Sequence, residues 1–190
     1  MQHHRPGIPH TLGADLRALR RARGIKLADM AVALGRSVGW LSQVERDKSD
    51  PSITDLRHIA AHLDVPVSIL FRHEAAPANE AGYVVRAGTR RPIGSSVAGL
   101  VEELLSPDLT DDFEMVHCTF QPHSRIADRV TRPTQEVGYI LSGTLEIEIA
   151  GVTHRLDPGD SFRIRGEPFR WANRTDTPVV AIWVIAPPVY

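Results

Sequence analysis

The first 71 residues of the chain place apolar side chains at the three- and four-residue spacing of amphipathic helices. The periodic groups are separated by Gly24, Gly35, the sequence Asp50-Pro51-Ser52, and Val65-Pro66. Because glycine and proline interrupt helices, each of these positions is expected to end one helix before the next begins. The pattern predicts five short helices over residues 11–22, 27–34, 37–46, 52–63 and 67–71.

Beyond residue 82 the apolar pattern changes to a period of two, which is typical of strands. Short runs of β-branched and aromatic residues are bounded by Gly, Pro, Asp and Asn. The runs are Tyr83–Arg86, Phe113–Phe120, Glu136–Leu141, Thr144–Ile149, Phe162–Ile164 and Val179–Ile185. Turns are predicted at Ala150-Gly151, at Asp157-Pro158-Gly159-Asp160 and at Ser142-Gly143, the last closing a tight hairpin. Many short strands at this spacing indicate an antiparallel sandwich or barrel.

Two segments show neither period. Residues 1–10 include His3, His4 and His10 and are interpreted as a disordered tail. Residues 72–82 have no periodic apolar face and are interpreted as a linker. The sequence therefore predicts an all-α domain over residues 11–71 and an all-β domain over residues 83–190.

The composition is that of a folded protein, with 42% hydrophobic and 24% charged residues. This composition excludes disordered, collagen-like and coiled-coil chains. Cys118 is the single cysteine, which excludes an intrachain disulfide and a cysteine-based zinc site. No apolar stretch is long enough to span a bilayer, and the first residues lack the apolar core of a secretory signal. We therefore expect a cytoplasmic protein without a membrane partner.

The charge is unevenly distributed, although the net charge is only −1. Residues 1–75 carry 11 Lys and Arg against 8 Asp and Glu, whereas residues 76–190 carry 11 against 15. A basic N-terminal part is compatible with nucleic-acid binding, although many solvated helical domains have a similar excess.

The second and third predicted helices have the spacing of a helix-turn-helix. Ala31 is small where the third helix crosses the second, and Gly35 lies in the turn, where a positive φ is usual. Ser37 is a predicted N-cap, and Leu41 and Val44 point the third helix into the core. The opposite face of this helix is therefore predicted to be exposed.

That exposed face is predicted to contact DNA. Gln43 can pair bidentately with adenine, while Val38 and Gly39 offer apolar or backbone contact. Positively charged side chains at and after the helix are expected to contact phosphates. The predicted DNA-binding residues are Arg36, Ser37, Val38, Gly39, Ser42, Gln43, Arg46 and Lys48. The alternative is a helical module that binds another protein and never contacts DNA.

From Leu12 to Phe71 the sequence resembles the lambda-repressor-like, or XRE-type, family of five-helix DNA-binding domains. The resemblance rests on Leu-Ser-Gln-Val-Glu-Arg at 41–46, on Pro51-Ser52, and on the closing sequence at 59–71. It implies that Arg20 pairs with Glu45. Two residues depart from the family pattern: Leu27 replaces a common phosphate-binding Gln, and Asp47 replaces the usual Gly. Asp is tolerated at the second position because it adopts the left-handed conformation more readily than most residues.

Residues 132–143 and 158–173 resemble the two signature motifs of the cupin barrels, which implies a double-stranded β-helix, or jelly roll. Metal-binding cupins use three His and one Glu, and the matching positions here are Val130, Arg132, Glu136 and Phe169. An Arg and a Phe cannot coordinate a divalent metal. His117 and His123 fall outside the motif spacing. We therefore expect no metal, no cofactor and no catalytic residue.

Strand alternation places Glu136, Gly138 and Ile140 on one face, Phe162 and Ile164 on another, and Phe169 and Trp171 on the following strand. If these faces point inward, they line a cavity with aromatic walls and one carboxylate. The predicted effector-binding residues are Arg132, Glu136, Phe162, Phe169 and Trp171. Such a cavity suits a small organic effector, with an amine for Glu136 or an acid group for Arg132. The alternative is a filled core in which the aromatic rings pack together and Glu136 pairs with Arg132.

Cupins behind an XRE-type domain form a class of bacterial transcriptional regulators, and the resemblance implies this function, most often as a repressor. We expect a homodimer that binds a pseudo-palindromic double-stranded operator, with dimer contacts supplied by the cupin sheets. Two alternatives remain open. One is an iron-dependent enzyme similar to the epoxidase of fosfomycin biosynthesis, and the other is an antitoxin-type protein whose DNA binding is modulated by a partner.

Overall fold

The structure is a computed structural model that describes residues 11–71, 77, 79–80, 82–95, 97–107 and 109–189. The described residues group into two compact units. The helical unit contains the residues up to Arg91 and those between Pro107 and Thr110; the β unit contains Pro92–Ser106 and Asp111–Val189. The predicted tail lies outside the described residues, as does much of the predicted linker. The division after Arg91 comes later in the chain than residue 83, where the sequence pattern changes.

The helical unit has four α-helices: α1 (Leu12–Ala22), α2 (Leu27–Ala33), α3 (Val38–Val44) and α4 (Ile53–His62). The prediction of a fifth α-helix was wrong, because Val67–Leu70 is a 3-10 helix. Its amides reach back only three residues: the Ile69 amide donates to Pro66, and the Phe71 amide donates to Ser68. A segment of four residues begun by a proline is too short to build α-helical hydrogen bonding.

Three of the four helices begin at a hydroxyl residue that caps them. Thr11 accepts a hydrogen bond from the Ala14 amide, and Ser37 accepts one from the Trp40 amide, both at 3.1 Å. The predicted N-cap of α3 is therefore confirmed. Ser52 and Asp55 form a capping box at the start of α4. These caps satisfy amides that would otherwise lack partners at the helix ends.

The core of the helical unit is built from the predicted apolar faces. Ala31 is fully buried in α2, as is Leu41 in α3, and Val44 is 1% exposed. Gly35 has a φ of 63° in the turn before α3, and Asp47 has a φ of 54° in the turn after it. The left-handed conformations expected at both turns are therefore present. The remaining large buried side chains are Leu16, Leu19, Met30, Leu56, Ile59, Leu63 and Ile69.

The β unit contains two sheets. The six-stranded sheet has the order β1-β2-β3-β9-β4-β7, and the three-stranded sheet has the order β6-β5-β8. Every pairing whose register is defined is antiparallel. The strands are β1 (Arg91–Pro92), β2 (Leu100–Leu104), β3 (Glu114–Phe120), β4 (Gln135–Ser142), β5 (Leu145–Ile149), β6 (Val152–Leu156), β7 (Ser161–Arg165), β8 (Phe169–Ala172) and β9 (Val179–Ala186).

The strand predictions were wrong at three places. Tyr83–Arg86 is irregular and leads into a 3-10 turn. The alternation of apolar and polar residues there does not correspond to a strand. The short first strand and β2 were not predicted. Ser142-Gly143 does not close a hairpin, because it connects β4 of the larger sheet to β5 of the smaller one. A turn motif fixes the local backbone, but it does not decide which strands form hydrogen bonds. The turn at Ala150-Gly151 does join the paired strands β5 and β6.

Aromatic side chains fill the space between the two sheets. Trp171 of the smaller sheet meets Phe120 edge-on, with ring centroids 4.6 Å apart. Trp183 meets Phe162 edge-on at 4.8 Å. Gly138, on β4, makes room for this second pair, since a Cβ there would lie 2.1 Å from the tip of the Phe162 ring. The inner face thus combines close aromatic packing with one position that requires glycine.

Candidate functional site

The α3 helix exposes the face that the sequence predicts for DNA contact. Val38, Gly39 and Gln43 are exposed, and Ser42 is half-buried. The neighbouring Leu41 is fully buried in the core. Gln43 therefore projects from a helix whose opposite side is held by packing. Such a helix end, with small and polar residues outward, has the shape and chemistry to enter a major groove.

Ion pairs and hydrogen bonds hold α3 against α1. The Arg20 guanidinium donates from Nε to Glu45 at 2.6 Å and from Nη2 to the other carboxylate oxygen at 2.9 Å. Both residues are more than nine-tenths buried. The pairing that the family resemblance implies is therefore present, and the hydrogen bond to Glu45 raises the pKa of Arg20. Asp47 adds a second tie, since its carboxylate accepts from the Gly13 amide at 2.9 Å and from the Thr11 hydroxyl.

Arg36, which the sequence predicts to contact DNA, is held by other side chains of the helical unit. Its Nε and Nη2 donate to Asp55 at 3.0 and 2.7 Å, and its guanidinium carbon lies 5.0 Å from the centre of the Trp40 ring. Hydrogen bonds from Ser52 and then Arg36 lower the pKa of Asp55. Arg36 remains 47% exposed. It therefore joins the beginnings of α3 and α4 while it keeps one side in water.

The other predicted phosphate-contacting residues are exposed beyond the end of α3. Arg46 donates from Nε to the Ser42 carbonyl at 2.9 Å, which turns its side chain back along the helix. Lys48 is exposed, and its amide donates to the Gln43 carbonyl at 2.9 Å. Both positive charges thus follow the exposed face directly. Trp40 was not predicted in this region; its ring offers the Arg36 guanidinium an aromatic face.

The predicted effector residues come together in the β unit around Glu136, which is fully buried. One carboxylate oxygen accepts from the Thr134 hydroxyl at 2.7 Å. The other accepts from the Trp183 indole at 2.8 Å and from Arg132 Nη2 at 3.1 Å. The Arg132 guanidinium carbon also lies 5.3 Å from the centre of the Phe169 ring. Both oxygens of Glu136 therefore have partners within the protein.

The other predicted aromatic residues are further from Glu136 along the inner face. Phe162 meets the cluster through Trp183, and Trp171 packs against Phe120. The ring packing and the Arg132–Glu136 pair are the features of the filled-core alternative. Thr134 and Trp183 were missed by the sequence prediction. The inward alternation of the Val179–Ile185 run would have indicated Trp183.

Two further buried carboxylates were also missed. Glu114 is only 2% exposed; one of its oxygens accepts from the Val189 amide at 3.1 Å, and Oε2 has no hydrogen-bond partner. Strand register places Glu114 and Glu136 on either side of Ile185, all facing inward. Glu102 is half-buried on β2, opposite the inward-facing Cys118. Alternation within the Phe113–Phe120 run would have placed Glu114 on the inner face.

The electrostatics of this interior are strongly negative. Burial, which is the largest cause, raises the pKa of Glu114 to about 7 together with the charges of Glu102 and Glu136, against the opposing effects of the Val189 amide and Arg132. Burial also raises the pKa of Glu102, although a hydrogen bond with Ser95 opposes the change. The same carboxylates, together with burial, raise the pKa of the Cys118 thiol. A buried Cys118 thiol of this kind is not a nucleophile.

The residues at the cupin metal positions do not fit a divalent metal. Glu136 is the only one of the four with a suitable ligand atom, and its oxygens are held by Thr134, Trp183 and Arg132. Within the described ranges, no three His, Cys, Asp or Glu side chains are grouped so that they could hold a metal ion.

An open groove of about 290 Å³ lies on the smaller sheet, and the predicted effector residue Trp171 is among the residues that line it. Its walls include Glu148, which pairs with Arg129 at 2.6 Å and with Arg170 at 2.6 Å. The Arg129 and Arg170 hydrogen bonds lower the pKa of Glu148. The charged groups that line this groove therefore largely satisfy one another.

Comparison with known proteins agrees with the two-unit organisation. A helix-turn-helix domain family matches residues 11–68, and a cupin domain family matches residues 116–185. The chain is 26% identical over 165 residues to the HTH-type transcriptional regulator PuuR of Escherichia coli K12, covering 85% of this chain and 86% of that protein. It is 42% identical over 57 residues to the HTH-type transcriptional regulator SutR of the same organism, covering 30% of this chain and 32% of that protein.

Among solved structures, the chain is similar to a helix-turn-helix family transcriptional regulator from Vibrio cholerae, with 23% identity and a TM-score of 0.44. That similarity covers 93% of this chain and 95% of the other. Within the described part of the chain, no helix is both long and apolar enough to cross a membrane.

Proposed function

This chain belongs to the XRE-type helix-turn-helix transcriptional regulators that carry a cupin domain, and we propose that it binds a specific DNA operator through α3. The observation that carries the proposal is the exposed Gln43 face of a helix whose other side is fixed by the Arg20–Glu45 pair. A rigidly held helix keeps its side chains in register with base edges. Gln43 and Ser42 would read bases, while Arg46 and Lys48 would contact phosphates.

Arg36 and Ser37 have a different part in this proposal. Ser37 caps α3, and Arg36 is held by Asp55 beside Trp40. Their contribution is to fix the N-terminal end of α3 and so the orientation of the helix that carries Ser42 and Gln43. Val38 and Gly39 lie in the first turn, where their small size allows the backbone to come close to the bases.

Fluorescence anisotropy with labelled duplexes from the chain's own promoter region tests the proposal. We expect the wild-type protein to bind one duplex much more tightly than a shuffled duplex of equal length. The double variant Ser42→Ala and Gln43→Ala should lose this preference, whereas Gln121→Ala, an exposed Gln in the β unit, should keep it. Equal affinity of the wild-type protein for both duplexes would contradict the proposal.

We also propose that the β unit is a jelly roll that senses a small organic effector and catalyses no reaction. The two antiparallel sheets with a shared aromatic interior support the jelly roll. The absence of a fitting ligand set at Arg132 and Phe169 supports a role without metal chemistry. A ligand alters DNA binding only as far as it favours one state of the protein over another. The test is anisotropy of the operator complex with and without candidate effectors, together with metal analysis of protein purified without chelators.

The outer face of the larger sheet supports a homodimer. Val137, Tyr139 and Leu141 of β4 are each 46–47% exposed, and Tyr139 lies directly beside the half-buried Ile182 of β9. Contiguous apolar surface of this kind is typical of association sites. We propose that this sheet pairs with its copy in a second chain, which would present two α3 helices to a two-fold operator.

Sedimentation velocity tests the dimer. Val137→Glu places a charge at the centre of the outer face and is expected to yield a monomer. Val152→Glu is the matched control, because Val152 is an exposed valine on β6 of the other sheet. A monomeric wild-type protein, or a dimer unaffected by Val137→Glu, would contradict this interface.

A further inference from the structure

The interior of the β unit holds more negative charge than its own cations balance. The charges of Glu102 and Glu136 both act on Glu114 there, and Arg132 is the only cationic side chain found to act on Glu114 within the described residues. Arg132 is already paired with Glu136. Glu102 and Glu114 are therefore the carboxylates that lack a cation of their own.

Glu114 supplies a separate observation that points to a missing partner. It is buried and faces the same interior as Glu136, yet its Oε2 atom has no hydrogen-bond donor. Buried carboxylate oxygens normally accept at least one hydrogen bond, because an unsatisfied one is costly. A ligand that donates a charge-assisted hydrogen bond would satisfy this atom.

Arg132 shows how this interior accommodates a cation. Its guanidinium has a carboxylate, Glu136, on one side and the face of an aromatic ring, Phe169, on the other. Carboxylates together with aromatic faces are the surroundings that bind organic ammonium groups. Trp183 and Phe162 extend the aromatic wall from Glu136. Arg132 is 31% exposed and Glu102 is half-buried, so solvent reaches this cluster.

We propose that the effector site of the β unit binds a small organic cation that carries an ammonium group, with Glu114 and Glu102 as its carboxylate partners. This inference rests on the proposed function. Of the two effector classes considered from the sequence, an amine that binds Glu136 or an acid that binds Arg132, it selects the amine. An acidic effector would have to approach three carboxylates, whereas an ammonium group would neutralise the excess charge.

The protonation of Glu114 gives the site a measurable signature. Its pKa of about 7 leaves it partly protonated at neutral pH in the free protein. Binding of an ammonium group would ionise it and release a proton, so affinity should rise between pH 6 and pH 8. The other groups that face Glu114 are Glu102 on β2, Cys118 on β3, and Arg132 and Glu136 at β4.

Isothermal titration calorimetry on the full chain is the test, with n-butylammonium as the probe and 1-butanol and butyrate as controls. We expect saturable heat with an ammonium probe and none with the alcohol or the carboxylate. Glu114→Gln should weaken binding by about 30-fold, the loss typical when one partner of a buried charge pair is removed. Glu102→Gln should also weaken it. Glu103→Gln should bind as the wild type does, since Glu103 lies on the same strand with the opposite facing.

Titrations in two buffers of different ionisation enthalpy measure the proton release. Wild-type protein should release protons near pH 7, and Glu114→Gln should release fewer. Three results would overturn the inference. In the first, the protein binds butyrate and not the ammonium compound; in the second, it binds Zn²⁺ when Zn²⁺ is titrated alone; in the third, it binds none of the compounds tested. Operator binding measured without any ligand separates a failure of this inference from a failure of the proposed function. If the wild-type protein does not bind an operator even without a ligand, the proposed function itself is wrong.

Discussion

The helical unit and the β unit place their candidate sites in opposite ways. The helical unit presents Gln43 on an exposed helix, and the residues around it come from one continuous stretch of chain. The β unit buries Glu136 among side chains that include Trp183, which is 47 residues away on β9. A surface site needs only a rigid helix beneath it. An interior site depends on every strand that contributes to it, so its chemistry is more sensitive to packing.

The two units also treat buried charge differently. In the helical unit, Arg20 and Glu45 form a matched pair with two hydrogen bonds. In the β unit, Glu114 keeps an unsatisfied oxygen and a raised pKa. A matched pair fixes a structure, whereas an unmatched charge can respond to a ligand or to pH. This difference fits a helical unit that positions a reading helix and a β unit that senses chemistry.

The largest expected effect comes from breaking the matched pair. Arg20→Met leaves the Glu45 carboxylate buried without its cation, which typically costs about 3–5 kcal/mol of stability. We expect the free energy of unfolding to fall by that amount in urea titrations followed by circular dichroism. The double variant Arg20→Met and Glu45→Leu should recover much of the loss. A single variant as stable as the wild type would show that the pair does not hold α3.

The next effect concerns the unmatched carboxylate and depends on pH. The pKa of Glu114 is raised to about 7 from the ordinary 4.5. Between these values the unfolded chain ionises while the folded protein stays protonated, so the native state loses stability as pH rises. Above pH 7 the loss levels off at about 3 kcal/mol. The Glu114→Gln variant has no carboxylate at this position, so it does not lose stability in this way. Its free energy of unfolding, relative to that of the wild type, should therefore rise by about 3 kcal/mol between pH 4.5 and pH 8.

Urea titrations of both proteins across this pH range measure the difference, in which the contributions of other titratable groups cancel. Asp128→Asn, which removes a carboxylate at an exposed position of the β unit, is the control and should show no such trend. If the difference in free energy of unfolding between Glu114→Gln and wild type is the same at every pH, the pKa of Glu114 is not raised. The β unit would then not contain the unmatched buried charge that distinguishes it from the helical unit.

A smaller effect is expected at the cap of α3. Ser37→Ala removes the acceptor of the Trp40 amide and should cost about 1 kcal/mol of stability. Ser37→Asp, which restores an acceptor, should recover most of it. Thermal unfolding measures both variants. If Ser37→Ala leaves stability and operator affinity unchanged, the cap contributes little to the positioning of the helix.

The smallest expected effect separates affinity from sequence preference. Lys48→Ala should weaken binding to every duplex and reduce the slope of log affinity against log salt by about one, because one phosphate contact is lost. The ratio of operator to shuffled-duplex affinity should stay the same. A changed ratio would instead assign Lys48 to base contact.

Local signals in the sequence predicted the helical unit well. Ser37, Gly35 and Asp47 each act through the backbone of their own turn, so a short stretch of sequence is sufficient to read them. The 3-10 segment at Val67–Leu70 was the exception, because apolar spacing does not distinguish it from one turn of α-helix. The partners of Glu136 were less accessible, since Trp183 lies 47 residues away in the chain.

The sequence by itself determined the order of a helical and a β unit, the exposed face of α3, and the strand face that Glu136 shares with Gly138 and Ile140. These features follow from the periods of helix and strand, which depend only on neighbouring residues. Only the tertiary structure decided that Ser142-Gly143 joins two sheets, that Arg132 satisfies Glu136, and that Glu114 is left without a full set of partners. Strand pairing and buried charge depend on which distant segments meet in space, and no local pattern along the chain specifies that.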